Sequence, residues 1–143
     1  MTNLWRLLIV VAGLGLVGWT VHGADDKGDK KVDTRVFEMR TYYAAPGKME
    51  ALHKRFRDHT NKLFQKHGMT LIGFWSPTDP KEAEQKMVYI LAYPSREAAD
   101  KAWKAFRDDP DWKAAREASE KDGKLVEKVE SVFLKATDYS PIK

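Results

Sequence analysis

The 143-residue chain contains no cysteine. Disulfides, cysteine-ligated metal sites and lipid attachment through cysteine are therefore excluded, and stability must come from a packed core or a partner subunit. Neither sign of charge dominates. The 25 Lys and Arg residues face 21 Asp and Glu, for a formal net charge of +4, and the two signs alternate instead of forming a basic stripe, so nucleic acid is not an expected partner. Motifs of covalent catalysis are lacking too: there is no Gly-x-Ser-x-Gly elbow and no readable nucleophile–base pair. Gly13, Gly15 and Gly18 lie in an apolar segment where their spacing does not make a phosphate loop. Long hydrophobic runs are also scarce. The longest covers about 15 residues, short of the ~20 that a membrane-spanning helix needs.

That run lies at the amino terminus. Residues 1–6 carry one positive charge, residues 7–17 are apolar or glycine, and the apolar character continues to Val21 before His22, Gly23 and Ala24. Val21 and Gly23 suit a signal-peptidase site, so residues 1–23 read as a signal peptide of a protein exported to the periplasm or secreted. An uncleaved membrane anchor and an internal helix are the alternatives, and only the anchor would bring a membrane partner. Residues 24–34 are almost wholly charged, glycine or small, which predicts a linker ahead of a folded domain at 35–141.

Within that domain the pattern predicts strand, helix, strand, strand, helix pair, strand. Residues 36–43 are β-branched and aromatic, with Phe37, Met39, Thr41 and Tyr43 on one face and Val36, Glu38, Arg40 and Tyr42 on the other. A turn at Pro46-Gly47 leads into a helix over 48–67, whose stripe Met49, Leu52, Phe56 and Leu63 recurs at helical spacing; Gly68 suits a left-handed cap. Strands follow at 69–76 and 87–93, joined by a polar loop. Ser95 caps a helix through Phe106, Pro110 breaks it, a shorter helix covers 112–122, and residues 125–137 form the last strand. Right-handed crossovers turn this order into an α+β, ferredoxin-like βαββαβ fold, an antiparallel sheet with helices on one face. Strand two, with Leu71, Gly73 and Trp75 opposite Ile72 and Phe74, and strand three, with Met87, Tyr89, Leu91 and Tyr93 opposite Val88, Ile90 and Ala92, are apolar on both sides. A half-solvated sheet would alternate, so the second face needs a cover. A second copy is the simplest one, giving a homodimeric α/β barrel.

The sequence F-E-M-R-T-Y-Y at 37–43, the following Pro46-Gly47-Lys48, His59, Lys66-His67-Gly68, Gly73-Phe74-Trp75, Trp103, Asp109-Pro110-Asp111-Trp112 and Tyr139-Ser140-Pro141 together resemble the NIPSNAP family, over about residues 35–141. The resemblance implies the same dimeric α/β barrel. It also implies kinship in fold with antibiotic-biosynthesis monooxygenases, without an agreed enzymatic activity. Better-studied members are mitochondrial or vesicle-associated proteins linked to protein interactions, whereas this chain has one domain copy behind an apparent export signal, so those roles do not carry over.

Candidate site residues follow from chemistry. Glu38, Arg40 and Tyr42 share a strand face, with Lys128 and Glu130 expected across from them. The group either orients a ligand carboxylate or enolate at the barrel mouth, or is an ion pair satisfied at the dimer interface. His53, His59 and His67 share a helix without zinc-site spacing, and no metal is expected. His59 is either a general base or a surface histidine. Trp75, Trp103, Trp112, Tyr89 and Tyr93 either line a pocket or pack the core. The expected function is a dimeric module binding a small apolar ligand or a protein through Arg40, Tyr42, His59, Trp75 and Tyr89, without a cofactor. The alternative is a cofactor-independent monooxygenase or isomerase lined by Arg40, Tyr42, His59 and Trp75.

Overall fold

The computed structural model describes residues 35–143; the expected signal peptide and linker lie outside them. The elements are β1 (Val36–Ala44), α1 (Met49–Arg55), a π-helical turn (Phe56–Thr60), α2 (Asn61–Lys66), β2 (Thr70–Trp75), α3 (Pro80–Ala83), β3 (Lys86–Tyr93), α4 (Arg96–Asp108), α5 (Pro110–Ser119) and β4 (Val126–Lys135). The strands form one antiparallel sheet in the order β2-β3-β1-β4. The helices pack on one face, which makes the domain a ferredoxin-like α+β fold.

The β1–β3 register pairs Glu38 with Leu91, Arg40 with Tyr89 and Tyr42 with Met87, so these side chains share the helix-covered face. There Tyr89, Leu91 and Tyr93 pack in one core with Leu52, Phe56, Phe64, Trp103 and Phe106. The rings meet edge-on: Phe56 lies 5.4 Å from Tyr89 at 60°, and Phe64 lies 5.4 Å from Trp103 at 78°. Burying each large apolar side chain is worth about 1.5–3 kcal/mol, so this cluster carries most of the fold's stabilisation.

The expected helix 48–67 is continuous, but with a π-helical turn at its centre. Thr60 Oγ1 donates to the Arg55 carbonyl at 3.2 Å and ties the widened turn together. Beyond the turn Phe64 as well as Leu63 is buried, and just before it Arg55 is buried on the same face as Leu52. Gly68 ends the helix at φ 77°, the left-handed cap that its sequence position predicts.

Two connections differ from expectation. Within the loop before β3, Asp79 accepts from the Glu82 amide at 3.0 Å and Pro80 occupies the first turn, giving the single-turn α3. Pro110 starts α5 rather than only ending α4, because Asp109 accepts from the Asp111 amide at 2.7 Å and caps the new helix. In β2 the pairing shifts between Leu71 and Gly73. Leu71 therefore packs with Phe74 on the helix side, correcting the expected alternation, while Gly73 and Trp75 stay on the other face. That helix-free face includes Met39, Thr41, Val88 and Ile90, and Trp75 (50%), Val132 (47%) and Leu134 (40%) are exposed on it.

Candidate functional site

The centre of the helix-covered side holds a buried carboxylate. Glu38 is 1% exposed. Its Oε1 accepts from Arg40 Nη1 at 2.6 Å and Ser131 Oγ at 2.6 Å, and its Oε2 from Tyr93 OH at 2.8 Å and Trp103 Nε1 at 2.6 Å. Burial alone would raise this carboxyl, but the bonds from Ser131 and Trp103, the Arg40 charge and the Tyr93 bond outweigh it and hold it below the ordinary carboxylate value. Arg40 in turn lies 4.2 Å over the Trp103 ring and 5.7 Å from that of Tyr42. The ion pair thus sits between sheet and helices, at neither the barrel mouth nor the sheet face where a second copy is expected.

Lys128 and Glu130 do not join it. The β1–β4 register sets Arg40 against Ser131, Thr41 against Glu130 and Tyr43 against Lys128, so both charges fall on the helix-free face. There Glu130 takes bonds from Lys128 and from Tyr43 OH at 3.0 Å. Ser131, Tyr93 and Trp103 are the partners that sequence reasoning missed. Tyr93 and Trp103 carried a usable signal, since a buried phenol or indole on a core face needs an acceptor. Ser131 carried none, because its role depends on the strand register.

Three of the five candidate site residues come together. Arg40 and Tyr89 are direct cross-strand neighbours, and the Tyr42 ring meets that of Tyr89 at 5.3 Å and 64°. The Tyr89 hydroxyl and Arg40 Nε are buried without a hydrogen-bond partner among the described residues. Burial raises the Tyr89 phenol well above its ordinary value. Tyr42 also opens outward, into a cleft of about 270 Å³ between β4 and α5 that includes Arg55, Trp112, Glu120, Val126 and Val129. Arg55, 4% exposed, donates to Ser119 Oγ at 3.2 Å and Glu120 Oε1 at 3.0 Å, with its guanidinium 5.1 Å from the Trp112 ring.

His59 and Trp75 lie elsewhere. His59 is exposed on the π-helical turn, in a groove with Lys62 and Asp111. The Trp75 indole lies over Gly73 on the helix-free face, and Trp75 also lines a separate cavity beside Phe74. The Asp109-Pro110-Asp111-Trp112 motif is a clamp: Asp109 Oδ2 accepts from Lys66 Nζ at 2.8 Å and His67 Nε2 at 2.6 Å while Oδ1 caps α5. Among the described residues, no three His, Asp or Glu converge as a metal site.

A four-stranded ferredoxin-like sheet with a buried acid at its centre and a Tyr42-floored cleft beside it defines the class of domain. The NIPSNAP family profile matches residues 37–141, and the chain belongs to that family. Solved structures agree in fold. A NIPSNAP family protein of Agrobacterium tumefaciens, Atu5224, is 23% identical with a TM-score of 0.65, over 76% of this chain and 99% of that one. A second from the same organism, Atu4242, described as of unknown function, is 22% identical with a TM-score of 0.67, over 78% and 96%. An uncharacterized NIPSNAP domain protein of Burkholderia xenovorans is 24% identical with a TM-score of 0.62, over 74% and 98%. No curated protein matches the chain.

Proposed function

We propose that this NIPSNAP domain is an exported homodimeric module that binds a small ligand in the cleft lined by Tyr42. The observation that carries the reading is the cleft itself: about 270 Å³, with Tyr42, Trp112, Val126 and Val129 as its apolar patch and Arg55, Arg116, Glu120, Lys124, Glu127 and Lys128 as its charged lining. A concave surface that joins apolar area to charged groups able to fix a ligand's orientation supports a small-molecule site. The cofactor-independent enzyme reading puts Arg40, Tyr42, His59 and Trp75 around one pocket, and the positions of His59 and Trp75 away from Arg40 give it no support.

Two further features support the rest. Trp75, Val132 and Leu134 leave exposed apolar surface on the helix-free sheet face, and a second copy is the simplest cover for it. The apolar segment ending at Val21 and the polar stretch after it support export. Among the described residues no helix is long and apolar enough to cross a membrane.

Native mass spectrometry of the protein purified from its source tests these parts together. The expected result is a dimer beginning at Ala24 that retains a small molecule, with Tyr42→Ala losing the molecule but not the dimer. An empty dimer would overturn the ligand in favour of a protein partner. A monomer would overturn the account of the sheet face, and an intact amino terminus in the membrane fraction would replace export by anchoring.

A further inference from the structure

We infer that the cavity beneath the π-helical turn is a second small-molecule site, and that it takes a single-ring aromatic acid bearing a hydroxyl group. The cavity measures about 260 Å³ and shares no lining residue with the Tyr42 cleft. Phe56, Phe74 and Met87 supply its apolar surface, and the half-exposed Trp75 stands at its rim. The Phe56 and Phe74 rings lie 5.9 Å apart at 69°, an edge-to-face corner into which a third ring packs.

The opposite wall is polar, and its groups say what that ring carries. His53, Arg57 and Asn61 follow one another at intervals of four along the helix, and all three line the cavity. Arg57 supplies the cation. Its only side-chain bond among the described residues is to Glu50 at 2.9 Å, and both side chains are more than half exposed, so the pair is weak and a ligand carboxylate can take the place of Glu50. His53 has no hydrogen-bond partner among the described residues and stands beside Arg57 as a second polar contact. Asn61 supplies the acceptor. Its side chain lines the cavity while its Oδ1 is turned away from water and receives no donor among the described residues, and a rotation of the amide presents that oxygen to a ligand hydroxyl.

The π-helical turn links these features. It starts at Phe56 and ends at Thr60, so it begins on the apolar wall and stops one residue before the orphaned amide. Such turns are frequent at functional sites. Arg57 lies within this one and Asn61 follows it directly.

The test is a titration of the purified full-length protein with 4-hydroxybenzoate, followed residue by residue in amide NMR spectra. Saturable shifts are expected at residues 53–61 and 74–76. Benzoate, which lacks the hydroxyl, and 4-hydroxybenzyl alcohol, which lacks the charge, should each bind several-fold more weakly. Arg57→Gln, at an exposed position that does not threaten folding, should weaken 4-hydroxybenzoate about tenfold, as loss of a charge-assisted contact does. Asn61→Leu should abolish the preference for 4-hydroxybenzoate over benzoate. Lack of saturation at about 10 mM, weaker than any specific site of this kind, would overturn the inference. So would shifts centred on the Tyr42 cleft, or an Arg57→Gln variant that binds as the wild type does. Shifts centred on the Tyr42 cleft would place the ligand there instead, and the other two outcomes leave the reading of that cleft untouched.

Discussion

Glu38→Gln keeps the size and shape of the buried side chain and removes its charge. In the wild type two oxygens serve four donors: Oε1 accepts from Arg40 and Ser131, and Oε2 accepts from Tyr93 and Trp103. A glutamine has one oxygen and one NH2. If the oxygen stays with Arg40 and Ser131, the NH2 faces Tyr93, whose hydroxyl can rotate to accept, and Trp103, whose indole N–H cannot. If the amide flips, Ser131 adapts but the NH2 faces the Arg40 guanidinium. Either orientation leaves one donor against another and a buried arginine without its counter-charge. An orphaned buried donor costs about 1–3 kcal/mol, and a broken buried ion pair costs about 3–5 kcal/mol. Because glutamine retains three of the four bonds, the lower end applies, and we expect a loss of about 3 kcal/mol, or about 10–15 °C in Tm for a domain of this size. Urea unfolding at fixed protein concentration measures it, with an unchanged slope showing that both states keep their compactness. The pH dependence supplies a second readout. Glu38 is held below the ordinary value of 4.5, so its stabilisation is complete above that value and is lost as pH falls through the lower folded value. Wild type and variant should therefore converge in acid. Adding Arg40→Met to Glu38→Gln, which removes the conflicting cation, should recover about 1–2 kcal/mol. A single variant within about 1 kcal/mol of wild type, below the cost of even one orphaned donor, or a double variant that loses the full sum of both substitutions, would refute the account of Glu38 as one coupled unit.

Asp109→Asn tests the clamp between α2 and α5. The bond from Lys66 outweighs burial and, with those from His67 and the Asp111 amide, holds the Asp109 carboxyl well below its ordinary 3.8. The wild type should therefore lose stability as pH falls below about 3.8 toward the lower folded value, and the variant should show a shallower acid limb in urea midpoints measured across pH; identical limbs would count against the clamp. Gly73→Ala tests the seat of Trp75, because a Cβ at residue 73 would stand 2.6 Å from Trp75 Cη2 and 2.7 Å from Cζ2. The half-exposed indole can swing away, so the stability change should stay under about 1 kcal/mol while Trp75 emission, isolated by difference against Trp75→Phe, shifts to the red; unchanged emission would mean that the ring does not rest on Gly73.

These residues also show which links of the chain from sequence to site are local and which are not. Strand parity is local: alternation alone puts Glu38, Arg40 and Tyr42 on one face, and Met87, Tyr89, Leu91 and Tyr93 on one face of β3, as the structure has them. Register is not local. The pairing of Arg40 with Ser131 is set by the length of chain between β1 and β4 and by a shift at Tyr43/Ala44, and a slip of one residue is enough to carry Lys128 and Glu130 to the other face. The bulge after Leu71 acts in the same way within β2. A π-helical turn is hidden for a related reason, because steps of three, four and seven accommodate one extra residue without breaking the apolar stripe. Arg55 is buried just before the turn, His53, Arg57 and Asn61 line one cavity, and His59 stays on the exposed side of the turn. The fold was therefore readable because it rests on faces. The Tyr42–Tyr89–Arg40 grouping was readable because parity alone puts all three on the core face of β1 and β3. The second cavity was not, because it forms only where the helix meets Phe74, Trp75 and Met87 of two strands, which no local pattern shows.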